Sequence, residues 1–153
     1  VEIERTFTFL KPDSVMRGLI GEIVSRFEKK GLNIVGAKLI TVSAQQAEKL
    51  YEVHKGKPFY GMLISHVTSG PIFAMIVEGP NAVTVVRKLV GATNPQEAGA
   101  GTIRGDYAVS ITPNAIHASD SVENAKGEMA IFFEYKDIVS YKRPAEEKYL
   151  WKE

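Results

Sequence analysis

His117 stands in the segment Asn114-Ala-Ile-His117-Ala-Ser119-Asp120-Ser121, between an amide side chain and a cluster of short oxygen-bearing ones. Imidazole is the one ordinary side chain that is a neutral nucleophile near pH 7 and forms a high-energy N–P bond. Just upstream, Gly101-Thr-Ile-Arg104-Gly105-Asp106 offers a guanidinium and backbone amides of the kind that hold phosphate oxygens. A histidine on its own is more often a satisfied core or loop residue. In this company it points instead to phosphoryl transfer through a phosphohistidine, carried on a loop that opens into a helix.

Other residues could assist. Lys11 ends an apolar strand directly before Pro12, which brings its ammonium out at a sheet terminus. Arg87 lies on the outward face of a helix, directed at the same glycine-rich region as Arg104, and Thr93 and Asn94 follow the Gly91 stop. Taken singly, these read as a strand-end lysine, a solvated helix arginine and ordinary turn residues. Glu128 follows on the next helix; a loop folded back over it would let the carboxylate hold one imidazole nitrogen and leave the other free to attack. By helical spacing Tyr51 and Phe59 read as core aromatics, and His54 and His66 as packing residues on apolar stripes. The histidines share no metal-site spacing. There is no P-loop, no dinucleotide-binding glycine fingerprint and no protein-kinase signature, so phosphates must be held in another way.

The frame for these residues is a chain of 153 residues, long enough for one ordinary domain spanning 1–153. With 19 basic and 18 acidic residues the net charge is +1, which calls for neither nucleic acid nor a membrane surface as partner. Cysteine is absent, which excludes disulfides and thiolate chemistry. No basic-then-apolar leader and no run of roughly 18 apolar residues is visible, so a cytoplasmic protein is expected.

Arg5–Leu10 alternates Thr6 and Thr8 against Phe7 and Phe9, a strand pattern. Leu19, Ile20, Ile23, Val24 and Phe27 recur at helical spacing up to Gly31, and 34–42 reads as a second strand. Ser43 and Gln46 have capping-box spacing for a helix with Ala47, Leu50, Tyr51 and His54 on one face. Another helix follows Pro58, and 72–77 reads as a central strand buried on both faces. Asn81 is expected to cap a helix ending at Gly91, 92–106 to be irregular, 107–111 to be a strand, and Asp120 and Ser121 to open the last helix. From about 136 the chain reads as an extended tail whose aromatics need a packing partner. The order β-α-β-(α-α)-β-α-β predicts an α+β, ferredoxin-like (split βαβ) fold: a four-stranded antiparallel sheet with helices on one face.

Six ordered segments carry a family resemblance: Thr8-Phe-Leu-Lys11-Pro12-Asp13, Arg17-Gly18-Leu-Ile-Gly21-Glu22-Ile, Ser69-Gly70-Pro71, Gly91-Ala-Thr93-Asn94-Pro95, and the two segments around Arg104 and His117. Together they resemble the nucleoside diphosphate kinases. The resemblance implies ping-pong transfer of a γ-phosphoryl from a nucleoside triphosphate to His117 and on to a nucleoside diphosphate, with Mg²⁺. It implies that Glu128 orients the imidazole directly or through Ser119. It implies that Lys11, Tyr51, Arg87, Thr93, Arg104 and Asn114 bind phosphates and ribose. Phe59 would stack on the base with Leu63 and Ile111, which explains broad base acceptance. Asp120 would reach Mg²⁺ through water. A homo-oligomer is implied too, a hexamer in preference to a tetramer, with no membrane or nucleic acid partner. A non-catalytic nucleotide-binding module on the same fold is the competing reading, disfavoured by the intact set Lys11, Arg87, Arg104, Asn114, His117 and Glu128. One departure stands out: Ala118 occupies the place where the family usually has Gly, and a positive φ there would cost about 1 kcal/mol.

Overall fold

The computed structural model describes residues 2–152. Four strands, β1 (Ile3–Leu10), β2 (Asn33–Thr41), β3 (Pro71–Pro80) and β4 (Ile116–Ala118), form one sheet in the order β2-β3-β1-β4. Every pairing is antiparallel. This is the expected four-stranded ferredoxin-like sheet, with β3 and β1 in its interior.

The helices are α1 (Pro12–Met16), α2 (Ile20–Lys30), α3 (Ala44–Leu50), α4 (Tyr60–Val67), α5 (Ala82–Val90), α6 (Ile103–Tyr107) and α7 (Val122–Phe132). They cover both faces of the sheet, not one. Phe7, Phe9 and Ile76 pack under residues of α3, α4 and α7, while Leu10, Met75 and Val77 pack under residues of α2, α5 and α6. The alternation of threonine and phenylalanine in β1 does not separate a wet face from a dry one. Thr6 and Thr8 are in fact fully buried, and the Thr8 hydroxyl is used at the site described below.

Local rules account for most boundaries. Gly31 adopts φ 101° and closes α2, a conformation that favours glycine. The Ser43–Gln46 capping box forms on α3, but the helix stops at Leu50 and a 3₁₀ turn at Glu52–His54 follows. His54 is thereby taken off the apolar stripe on which the sequence placed it. Asn81 begins α5 at φ 50° without a side-chain cap bond; the Glu4 carboxylate accepts the Val83 N–H instead, at 3.2 Å.

The expected strand at 107–111 is absent. Residues 103–107 are helical because the Thr102 hydroxyl accepts the Gly105 N–H at 3.0 Å as an N-cap. A Cβ on Gly105 would fall 2.0 Å from the Gly99 carbonyl oxygen, so this close approach requires glycine. Val109, beyond the helix, is 81% exposed and has no sheet to join. The fourth strand is instead the three residues around His117.

Hydrogen bonds tie the tail to β2 and to the end of α2, although Tyr141 and Tyr149 remain exposed. The Val139 N–H donates to the Val35 carbonyl, the Tyr141 hydroxyl to the Ile34 carbonyl, and the Trp151 indole to the Gly31 carbonyl. Two short turns, Tyr135–Asp137 and Glu146–Leu150, interrupt its extended course. Among the described residues no helix is long and apolar enough to cross a membrane.

Candidate active site

His117 lies on β4 opposite Phe9 of β1, on a strand and not on the expected loop. Its imidazole stacks on the Phe9 ring with centroids 4.9 Å apart and an interplanar angle of 23°. The Thr8 hydroxyl donates to the His117 carbonyl at 2.6 Å, and the Ser119 N–H donates to the Phe7 carbonyl at 3.0 Å. The ring thus stands on the same sheet face as Phe7 and Phe9, which α7 crosses.

Helix α7 starts at Ser121, whose hydroxyl accepts the Asn124 N–H. Nearly two turns on, it delivers Glu128, whose Oε1 pairs with His117 Nε2 and accepts the Ser119 hydroxyl at 3.0 Å. The carboxylate therefore acts directly on the ring, and Ser119, itself buried, steadies the carboxylate. With Nε2 committed, Nδ1 is the nitrogen left for chemistry.

A cavity of about 950 Å³ opens beside the imidazole. Every site residue expected from sequence lines it except Ser119, which sits behind Glu128. Three cations converge on it. Arg104, 5% exposed, donates to the carbonyls of Asn114 (3.3 Å), Gly91 (3.2 Å) and Ile116 (2.7 Å). Arg87 Nη1 donates to the Ala118 carbonyl at 3.0 Å. Lys11, also buried, donates to the Thr112 carbonyl at 3.2 Å.

Burial, followed by the charge of Arg104, pushes the Lys11 ammonium down to about 8 despite the opposing effect of Asp13. Burial and then the charge of Arg87 push Arg104 down to about 10. Arg104 is thus repelled by both Lys11 and Arg87, and a polyanion entering the cavity relieves that repulsion. Burial, followed by the charge of Glu128, raises the Tyr51 phenol, which stays a proton donor at neutral pH.

The cavity has a second, less charged end. Phe59 is 42% exposed, with the His54 ring edge-on to it at 5.3 Å and the Lys57 ammonium 5.8 Å from its centroid. Leu63 and the exposed Ile111 add apolar lining to the cavity. Phe59 is therefore an exposed platform, not a core aromatic, whereas Tyr51 is buried within a core cluster while also lining the cavity. Asn114 donates its amide to the Thr93 carbonyl at 3.0 Å, and its Oδ1 is buried without a partner. That orphan acceptor calls for a ligand hydroxyl or amine.

A family model described as nucleoside diphosphate kinase matches residues 4–138. The chain belongs to the nucleoside diphosphate kinase family. It is 58% identical to the nucleoside diphosphate kinase of Kosmotoga olearia over 147 residues, covering 96% of this chain and 100% of that one. With the Staphylococcus epidermidis protein of the same name it is 56% identical over 145 residues, covering 95% and 97%. Among solved structures it is similar to a Halobacterium salinarum nucleoside diphosphate kinase in complex with CDP, with a TM-score of 0.95, 44% identity and coverage of 99% and 100%. It also matches a Babesia bovis protein of the nucleoside diphosphate kinase family, at a TM-score of 0.91 and 45% identity, with coverage of 95% and 98%.

Several readings change within this kinase frame. His54 is not a packing residue: it lines the cavity, and burial, with Lys57 and His117 adding to it, lowers its pKa. His66 is not a packing residue either, because its Nε2 pairs with Asp13 Oδ1 at 2.9 Å. Ala118 lies in β4 without positive φ, so the anticipated strain is not there; it falls on Ala115, at φ 76°. Thr8 and Asp13, present in a segment of the family resemblance but given no role from sequence, also make contacts at the site. No local signal marks them, since their roles depend on contacts with residues more than 50 positions away.

Proposed function

We propose that the chain is a nucleoside diphosphate kinase, a phosphotransferase that uses His117 as a transient carrier. The observation that carries this reading is the committed Nε2 of His117, held by Glu128, beside a cavity where Lys11, Arg87 and Arg104 converge. In the first half-reaction the Nδ1 lone pair attacks the γ-phosphorus of a nucleoside triphosphate. The bond from that phosphorus to the β–γ bridging oxygen breaks, and its electron pair leaves on the nucleoside diphosphate. In the second, a terminal β-oxygen of another diphosphate takes the phosphoryl from nitrogen and the imidazole is restored. Little proton traffic is needed, so positioning and positive charge carry the catalysis.

The cations would hold the phosphates, with the Tyr51 phenol and Thr93 beside them. Lys11 and Asn114 would meet the sugar, whose hydroxyl would satisfy the orphan Asn114 Oδ1. The base would stack on Phe59 between Leu63 and Ile111. Stacking without edge readout suits all common bases.

Among the described residues no three His, Asp or Glu side chains gather as a metal cage. Mg²⁺ is commonly held by substrate phosphates, waters and one or two carboxylates. Asp120, exposed at the cavity wall with its Oδ1 accepting the Asn124 amide at 2.6 Å, would hold it through water. The ion would supply neutralisation of the charge that develops during transfer.

We read residues 1–153 as one kinase domain whose tail begins near 136, in a cytoplasmic homo-oligomer, a hexamer in preference to a tetramer. Met16, Leu39 and Val109 are exposed apolar side chains that such an assembly could cover. Light scattering that shows a stable monomer at micromolar concentration refutes the oligomer alone.

The reading is tested by labelling with γ-³²P-ATP and chasing with GDP. Acid-labile, base-stable label should appear on the protein and move to GTP; label that is absent, or that does not chase, defeats it. A second test uses Lys11. Its ammonium, at about 8 in the free protein, costs stability while charged; that cost is full below pH 8 and fades as pH rises toward the unfolded value of 10.5. A bound diphosphate should raise this pKa. ADP affinity should therefore fall from pH 7 to 9.5, and calorimetry in buffers of different ionisation heat should show proton uptake near pH 8.5. Uptake that persists in Lys11→Gln would assign it elsewhere.

A further inference from the structure

Two non-glycine residues among those described have positive φ, Asn81 at 50° and Ala115 at 76°. Asn81 is exposed at the start of α5, whereas Ala115 is fully buried two residues before His117. The Ile116 N–H donates to the Asn114 carbonyl across it at 3.0 Å, closing a three-residue γ-turn. With positive φ at its centre this turn is rare and strained, and such a conformation persists only when its surroundings over-determine it.

The surroundings are specific. The Ala115 carbonyl accepts the Lys11 N–H at 3.0 Å and the Ser14 hydroxyl at 2.7 Å. The Ala115 N–H donates to Asp13 Oδ2 at 3.1 Å, and the other oxygen of Asp13 is taken by His66 Nε2. Asp13 is thus a brace with two ends, one on α4 and one on the strained turn. It does not line the cavity. The turn it holds sends the Asn114 amide into the cavity and feeds Ile116 into register opposite Leu10, which puts His117 opposite Phe9.

We propose that Asp13, backed by His66, is a positioning residue for phosphotransfer: it holds the γ-turn at Ala115 that places Asn114 and His117 around one cavity. This rests on the reading of His117 as the phosphoryl carrier. Asp13 also carries charge near Lys11, so its hydrogen bonds must be separated from its charge. Asparagine does this, because its Oδ1 accepts the Ala115 N–H while its amide donates to the other tautomer of His66.

The test is the rate of phosphoenzyme formation from ATP by rapid quench on the full chain, with amide hydrogen exchange at Ala115 measured in parallel. Asp13→Ala should slow formation roughly ten- to a hundredfold, the scale of a misplaced reacting group, and should expose the Ala115 amide. Asp13→Asn should keep the rate within about threefold and keep the amide protected. Adding Ala115→Gly to Asp13→Ala should recover at least about fivefold, because glycine accepts positive φ without a brace. A wild-type rate in Asp13→Ala, an Asp13→Asn as slow as Asp13→Ala, or a double variant no faster than the single one overturns the proposal. If Asp13→Ala does not fold, His66→Ala replaces it, and unchanged exchange at Ala115 then counts against the brace. Exchange needs no chemistry, so a wild-type protein that forms no phosphoenzyme defeats the carrier reading while exchange still judges the brace.

Discussion

His117→Ala should abolish phosphoenzyme formation and lower kcat by at least about 10⁴-fold, because it deletes the nucleophile and no neighbour can replace it. His54 lines the same cavity but stands at the Phe59 end, and His66 is engaged with Asp13. The loss should fall on kcat alone. Lys11, Arg87 and Arg104 are untouched by the change, so ADP should bind within a few-fold of its wild-type affinity. Stability should change little, since Glu128 keeps its bond from Ser119. Rapid quench, steady-state kinetics and calorimetry together check these points. Label above about one per cent of wild type in this variant would require a different carrier.

The second large effect belongs to Arg104. Its guanidinium donates to three backbone carbonyls drawn from the Gly91 stop and the two residues flanking Ala115. Arg104→Ala removes this donor from all three acceptors in a buried place, and the Asn114 carbonyl keeps only the Ile116 N–H. One such loss costs about 1–3 kcal/mol, so the sum should reach about 3 kcal/mol and lower Tm by about 6–12 °C. Activity should fall with it, by at least about 100-fold in kcat/KM, because a cation facing the phosphates is lost as well. Arg104→Lys should rescue little, since a single ammonium nitrogen cannot reach the separate carbonyls that Nε, Nη1 and Nη2 each bond. Scanning calorimetry decides the structural half: a melting point within about 2 °C of wild type would show that the carbonyls find other partners.

These two predictions differ in origin. The proposal that His117 is the nucleophile starts in the chain itself, from its neighbours in sequence, Asn114, Ser119 and Asp120. The structural half of Arg104 was not legible there, because its acceptors lie 10 to 13 residues away and meet only once α6 folds. The same division separates Glu128 from Asp13. Glu128 is on the helix directly after His117, so an orienting role could be read from proximity. Asp13 reaches Ala115 and His66 across separations of 102 and 53 residues.

The sequence alone determined the sheet type, the capping box at Ser43, the Gly31 stop and the central position of β3. These follow from short-range periodicity, turn chemistry and motifs carried on contiguous stretches. Tertiary structure decided that helices cover both faces, that 107–111 is not a strand, that His117 sits on β4, that His54 joins the cavity and that the strain falls on Ala115 instead of Ala118. Each of these depends on which distant surface a segment meets. A buried threonine and a solvated one look the same along the chain, and a γ-turn is stable only where several remote groups converge to hold it.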